Sequence, residues 1–177
     1  YQWFTLNSVS LRSATRPSAT PAVYTAGYEG LLVDGFLDGL LRSGMRLLVD
    51  VRNNPVSRRY GFHRSTLKRL CEGVGIEYRH FPELGIQSER RQQLVEQEDY
   101  DRLFADYNQT TLRTEVSSIR SVAELLGATS GVLVCMEADH KCCHRSRLAT
   151  AVAKASGLKV VHLGLHRWTT HMNRAGC

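Results

Sequence analysis

The sequence predicts an α/β domain with a mostly parallel sheet of about five strands and helices on both faces, a three-layer α/β/α arrangement. Strand-sized apolar runs alternate with stretches of helical periodicity from Ala22 to Leu163, and glycines or polar residues separate them. A chain of 177 residues, 42% apolar and 23% charged, suits one well-buried domain rather than two.

The first 21 residues hold a Ser-, Thr-, Ala- and Pro-rich stretch, Ser8 to Pro21, with no h-region, and read as a poorly ordered leader. Ala22–Ala26 then reads as a strand, Leu31–Arg42 as a helix and Arg46–Val51 as a second strand, which makes one βαβ unit. Ser65–Gly73 reads as a helix and Ile76–His80 as a short strand. Phe81–Gln97, with Pro82, Gly85 and a charged run, is a long connection of the kind that serves as a lid. Helices are expected at Glu98–Asn108 and Leu112–Leu126, a fully covered strand at Gly131–Cys135, a helix at Arg145–Ser156 and a last strand at Lys159–Leu163. Gly44, Gly73, Gly127 and Gly157 each follow a helical pattern, where a residue without Cβ takes the left-handed conformation at low cost. The domain spans residues 22–165, and a basic tail, residues 166–177, carries His166, Arg167, Trp168, His171 and Arg174 without a structural assignment.

A net charge of +6 favours an anionic partner, a small molecule or a nucleic acid. No apolar run approaches the roughly 18 residues that a membrane helix needs, so no membrane partner is expected. Cys71, Cys135, Cys142, Cys143 and Cys177 are odd in number and irregular in spacing, which points to free thiols in a reducing cytoplasm. Oligomeric state has no signature in the sequence.

Ligands of open α/β sheets bind beyond the carboxyl ends of the strands, so the residues after each strand are the candidates. Asp50 and Arg52 leave the same face of strand two. They form either a structural ion pair or a site in which Arg52 clamps an anion and Asp50 orients it or acts as a base. Cys135 and Glu137 repeat that spacing on strand four. The two strand ends are therefore expected to present Asp50, Arg52, Cys135 and Glu137 to one crevice, with two carboxylates able to divide acid and base roles. Cys135 itself reads as a packed neighbour. His144, Arg145 and Arg147 open the following helix, where cations oppose the dipole; an anionic substrate or a salt bridge to Glu137 or Asp50 would account for them. Cys135, Cys142, Cys143 and His144 are of the types that serve as soft metal ligands, but their spacing is not that of a zinc knuckle or ribbon, and neither a metal nor a cofactor is assigned. Tyr60-Gly61-Phe62-His63, flanked by Arg58, Arg59 and Arg64, reads either as a base-stacking loop that touches nucleic acid or as an aromatic plug over the sheet edge.

These residues carry a resemblance. Tyr24-Thr25-Ala26-Gly27-Tyr28-Glu29, Asp50-Val51-Arg52-Asn53-Asn54-Pro55-Val56-Ser57, Gly75-Ile76-Glu77-Tyr78, Leu84-Gly85, Cys135-Met136-Glu137 and Cys143-His144-Arg145 together resemble the family called domain of unknown function 488. The resemblance runs from residue 22 to residue 163 and implies an α/β domain of bacterial or archaeal type whose motifs meet in one pocket. It implies no reaction.

Side-chain chemistry alone therefore carries the functional expectation. The protein is expected to be an enzyme acting by acid/base hydrolysis or transfer on a phosphate-bearing nucleotide or nucleic acid, with Asp50 and Glu137 catalytic. Arg52, Ser57, Tyr28, Tyr78, His144 and Arg145 would bind substrate, and Arg58, Arg59 and Arg64 would touch nucleic acid. The competing expectations are a non-catalytic nucleotide or nucleic-acid binding module and a polar network that only fixes the fold.

Overall fold

The computed structural model describes residues 17–92 and 94–165. The tail expected over residues 166–177 and most of the leader lie outside the described residues. Five strands, β1 (Val23–Gly27), β2 (Leu47–Asp50), β3 (Glu77–His80), β4 (Gly131–Cys135) and β5 (Val160–His162), form one all-parallel sheet in the order β3-β2-β4-β1-β5. Among the described residues six α-helices accompany it: α1 (Val33–Arg42), α2 (Arg64–Gly73), α3 (Gln97–Gln109), α4 (Thr111–Thr114), α5 (Val116–Ala128) and α6 (Arg145–Ser156). The single α/β domain with a parallel sheet is the predicted one.

The apolar spacing of each helix decides which face of the sheet it covers. Val33, Phe36, Leu37, Leu40 and Leu41 recur at helical intervals, so α1 buries one stripe. That stripe meets Leu67 and Cys71 of α2 over the sheet face formed by Tyr24, Ala26, Leu48, Val132 and Val134. The alternate residues of the same strands, Val23, Leu47, Val49, Leu133 and Cys135, pack on the other face against Ile119, Val122 and Leu126 of α5 and Leu148, Ala149 and Val152 of α6. Both faces of β1, β2 and β4 are covered, which is why these strands are fully buried. Burial of each such Leu, Val or Phe contributes roughly 1.5–3 kcal/mol.

β4 enters the sheet between β2 and β1, and the chain leaves it toward the opposite face from the helices that follow β1 and β2. The connections therefore diverge on both sides of β4, and a crevice opens at its carboxyl end.

Two expectations are corrected. The helix expected over Leu112–Leu126 is divided into α4 and α5 at Glu115, whose φ of −91° and ψ of 36° fall outside the helical range. Hydroxyls compete with helical bonding there: Thr110 Oγ1 donates to the Asp106 carbonyl and Thr114 Oγ1 to the Thr110 carbonyl. Gly44 and Gly157 take the left-handed conformation expected of them, at φ 77° and 75°, but Gly73 and Gly127 lie within α2 and α5. Gly75, at φ 72°, makes the left-handed turn after α2, and α5 ends on an extended Thr129.

Candidate active site at the strand ends

The register of β2 against β4 organises the site. Asp50 pairs with Val134, so Asp50 points to the α1/α2 face while Cys135, one residue further along β4, points to the α5/α6 face. The Asp50–Arg52 and Cys135–Glu137 pairs thus leave opposite faces. Arg52 and Cys135 meet again beyond the strand ends, where both line a cavity of about 190 Å³ with Tyr28, Asn53, Asn54, Ser88, Arg91 and His144.

On the first face Asp50 is fully buried. Arg52 donates to its two carboxylate oxygens through Nε (2.8 Å) and Nη2 (2.6 Å), and the Arg52 backbone N–H and the Tyr78 hydroxyl add bonds of 3.1 and 2.6 Å. Those four bonds use the whole accepting capacity of a carboxylate. Arg52 Nη1 also donates to the Tyr28 hydroxyl (2.9 Å) and the Phe62 carbonyl (2.8 Å). Four of its five N–H donors are thus given to protein, leaving at most one for a substrate. Burial works against the Arg52 charge, but the Asp50 carboxylate more than offsets it and holds the guanidinium above its ordinary pKa. Burial, and then the Asp50 charge, raise Tyr78 so that its hydroxyl stays protonated and donating.

The loop after β2 is built around this pair. Phe62 stacks on Tyr28 with ring centroids 4.1 Å apart, while Tyr60 is 79% exposed. Phe62 is therefore buried as in the plug reading, and Tyr60 and His63 are the exposed rings of the loop. Arg58, Arg59 and Arg64 are exposed and do not line the cavity; Arg59 donates to the Tyr28 carbonyl at 3.3 Å. Ser57 accepts from the Arg59 backbone N–H and also lies off the cavity.

On the second face the segment after β4 folds across the end of β1. The Met136 carbonyl accepts from the Tyr28 and Glu29 backbone N–H groups, and a Cβ on Gly27 would sit 1.8 Å from the Glu137 carbonyl oxygen. Only glycine permits that approach. Arg145 is buried and donates to the Glu137 and Ala138 carbonyls through Nη1 and Nη2. This replaces both explanations offered for its cationic position: the guanidinium satisfies backbone carbonyls rather than a carboxylate, and it does not line the cavity. Arg147 lies over the Phe104 ring at 3.9 Å.

The Glu137 carboxylate is paired with Arg91, and Cys135 Sγ lies 3.1 Å from Glu137 Oε2. Burial, reinforced by Cys135, holds the Glu137 carboxyl above its usual range against the pull of Arg91. The neighbouring Cys143 S–H, with help from His144 and Arg91, brings Cys135 below an ordinary thiol despite its burial. Burial first, and then Cys135, keep Cys143 protonated.

Cys135, Cys143 and His144 are all buried, and their ligand atoms lie within 4.8 Å of one another. His144 Nδ1 is 3.9 Å from each sulfur, while its Nε2–H donates to the Val51 carbonyl at 3.1 Å. Sequence spacing concealed this cluster because a 3-10 turn at His140–Cys142 brings Cys143 and His144 back to the end of β4. Asn53 and Asn54 belong to the strand-end motif of the sequence but carry no role there, and Arg91 has none either. The Arg90-Arg91 pair in the long connection is the available signal for Arg91.

Fold and site together define an open parallel α/β domain with a polar crevice where its connections diverge. The chain belongs to the family described as domain of unknown function DUF488, whose model matches residues 33–152. The matched segment holds the β2 and β4 ends and the start of α6, while β1 and Tyr28 precede it. No curated protein and no solved structure matches the chain.

Proposed function

We propose that the protein is an enzyme that takes an anionic group of a phosphate-bearing substrate, a nucleotide or nucleic acid, into the strand-end crevice and hydrolyses or transfers a bond there with Glu137 as acid or base. The observation that carries this reading is the lining of the crevice: Arg91, Asn53, Asn54 and Ser88 line the cavity, and Arg91 is ion-paired with Glu137, which itself lies outside the lining. At about 190 Å³ the cavity is smaller than the roughly 300 Å³ at which whole-ligand pockets begin, so one group of the substrate enters and the rest lies outside.

The roles divide by what each side chain has left to give. Arg91 is the principal anion donor: it lines the cavity with one nitrogen, Nη2, given to Glu137, whereas Arg52 gives four of its five N–H donors to protein and Arg145 does not line the cavity. Asp50 is a positioning residue that fixes Arg52 and through it Tyr28. Exposed Tyr60 and its basic neighbours Arg58, Arg59 and Arg64 extend the surface on which a nucleic acid would lie. That arc also favours a second reading, a binding module without catalysis, for which log affinity would fall with log salt by about 0.7–0.9 per phosphate contact.

The test is release of phosphate or base from a panel of nucleotides and single-stranded oligonucleotides. Turnover that drops at least about 100-fold in Glu137→Gln supports the enzyme. Equal turnover in that variant, or salt-dependent binding with no turnover on the whole panel, removes it.

A further inference from the structure

The crevice wall contains a group that acid/base chemistry on Glu137 does not use. Cys135 ends β4, Cys143 and His144 precede α6, and the loop between them returns so that two sulfurs and one imidazole nitrogen converge in a buried position. We propose that Cys135, Cys143 and His144 form a zinc site with its fourth position open to the strand-end crevice.

Four features carry the proposal. The first is spacing: Zn–S bonds of about 2.3 Å and Zn–N bonds of about 2.0–2.1 Å in a tetrahedron place S and N about 3.6 Å apart. Both observed S···N distances are 3.9 Å, a few tenths of an ångström longer, and all three ligand atoms lie within 4.8 Å of one another. The second is tautomer: the Nε2–H bond to the Val51 carbonyl leaves the Nδ1 lone pair facing the sulfurs, as the outer bonds of metal-bound imidazoles do. The third is support of the ligands themselves, since the Arg145 backbone N–H points at Cys143 Sγ at 3.5 Å and the Tyr107 ring packs edge-on against His144 at 5.4 Å. The fourth is access: Cys135 and His144 line the cavity, so the open position faces the crevice rather than the core. Two thiolates and one imidazole suit a borderline-soft divalent ion, and three protein ligands with one vacancy is the arrangement of a site that binds water or a substrate atom. Metal binding by these three side chains stands independently of what the crevice accepts.

The experiment uses the full chain, reduced and stripped of metal with a chelator. Titration with Co²⁺ should give thiolate-to-cobalt charge transfer and tetrahedral ligand-field bands that saturate at one equivalent and are bleached by Zn²⁺. Cys142→Ser and Cys177→Ser should leave them unchanged, whereas Cys143→Ser and His144→Ala should weaken binding at least about 10-fold. X-ray absorption on the zinc-loaded wild type needs no variant to fold, and should show two sulfurs with nitrogen or oxygen completing the shell. No saturable cobalt spectrum, a spectrum unaltered by Cys143→Ser and His144→Ala in folded protein, or a zinc shell without two sulfurs would overturn the proposal.

Discussion

Removing either member of the Asp50–Arg52 pair should cost far more than a surface ion pair would, because each partner is left charged inside the protein. Asp50 is 0% and Arg52 7% exposed, and the two share a bidentate contact with N···O distances of 2.8 and 2.6 Å. Arg52→Met leaves the Asp50 carboxylate with only the Arg52 backbone N–H and the Tyr78 hydroxyl. Asp50→Asn leaves the guanidinium without a counter-charge, its acceptors reduced to one neutral amide oxygen, the Tyr28 hydroxyl and the Phe62 carbonyl. Breaking one side of a buried pair costs about 3–5 kcal/mol. With a urea dependence of about 2 kcal/mol per M, each single variant should unfold about 1.5–2.5 M earlier than wild type. The double variant carries no stranded charge, so its loss should fall short of the sum of the singles by about 2–3 kcal/mol. Urea unfolding of all four proteins by circular dichroism measures this. Single losses under about 1 kcal/mol, with additive behaviour in the double variant, would refute the reasoning and make the pair no more than a surface contact.

Two further perturbations probe the same framework. Tyr78→Phe removes the 2.6 Å bond to Asp50 and should cost about 1.5–3 kcal/mol at neutral pH. Because Tyr78 is raised in the folded state by burial and Asp50, the native protein keeps a proton that the unfolded chain releases above about pH 10. Its contribution is therefore complete below that pH and lost as pH rises, so the gap between wild type and Tyr78→Phe should narrow in urea titrations above pH 10. Gly85→Ala would place a Cβ 2.1 Å from the Asn53 backbone nitrogen, pushing the Pro82–Arg91 connection away from the crevice. A loss of about 3 kcal/mol is expected, together with amide shift changes at Asn53, Ser88 and Arg91; an unperturbed spectrum would show that the close approach is not maintained in solution.

The period of the apolar residues made the layers readable, because strands covered on both faces are uniformly apolar and α1 repeats its buried positions every three or four residues. The division at Glu115 was not readable, since Leu112, Ile119, Val122 and Leu126 keep a helical spacing through a break made by threonine hydroxyls. For the site, the two-residue spacing showed that Asp50 accompanies Arg52 and Cys135 accompanies Glu137, but not whether the pairs share a face. Register decides that, and it arises from long-range pairing of Asp50 with Val134 that no local pattern carries. The cationic start of α6 was visible, yet the acceptors of Arg145 are the Glu137 and Ala138 carbonyls, which only folding brings to it. Arg91 reaches the crevice because the connection after β3 turns back over the strand ends, where a Cβ-free Gly85 lies against Asn53.

The central claim, that the crevice between β1, β2 and β4 holds the anionic group of a substrate, is tested most directly by titrating inorganic phosphate into isotope-labelled full-length protein and following amide resonances. The account predicts saturable shifts at Asn53, Asn54, Ser88 and Arg91 that vanish in Arg91→Ala. Absence of saturable shifts at those residues, or the same shifts with Arg91 removed, would contradict it.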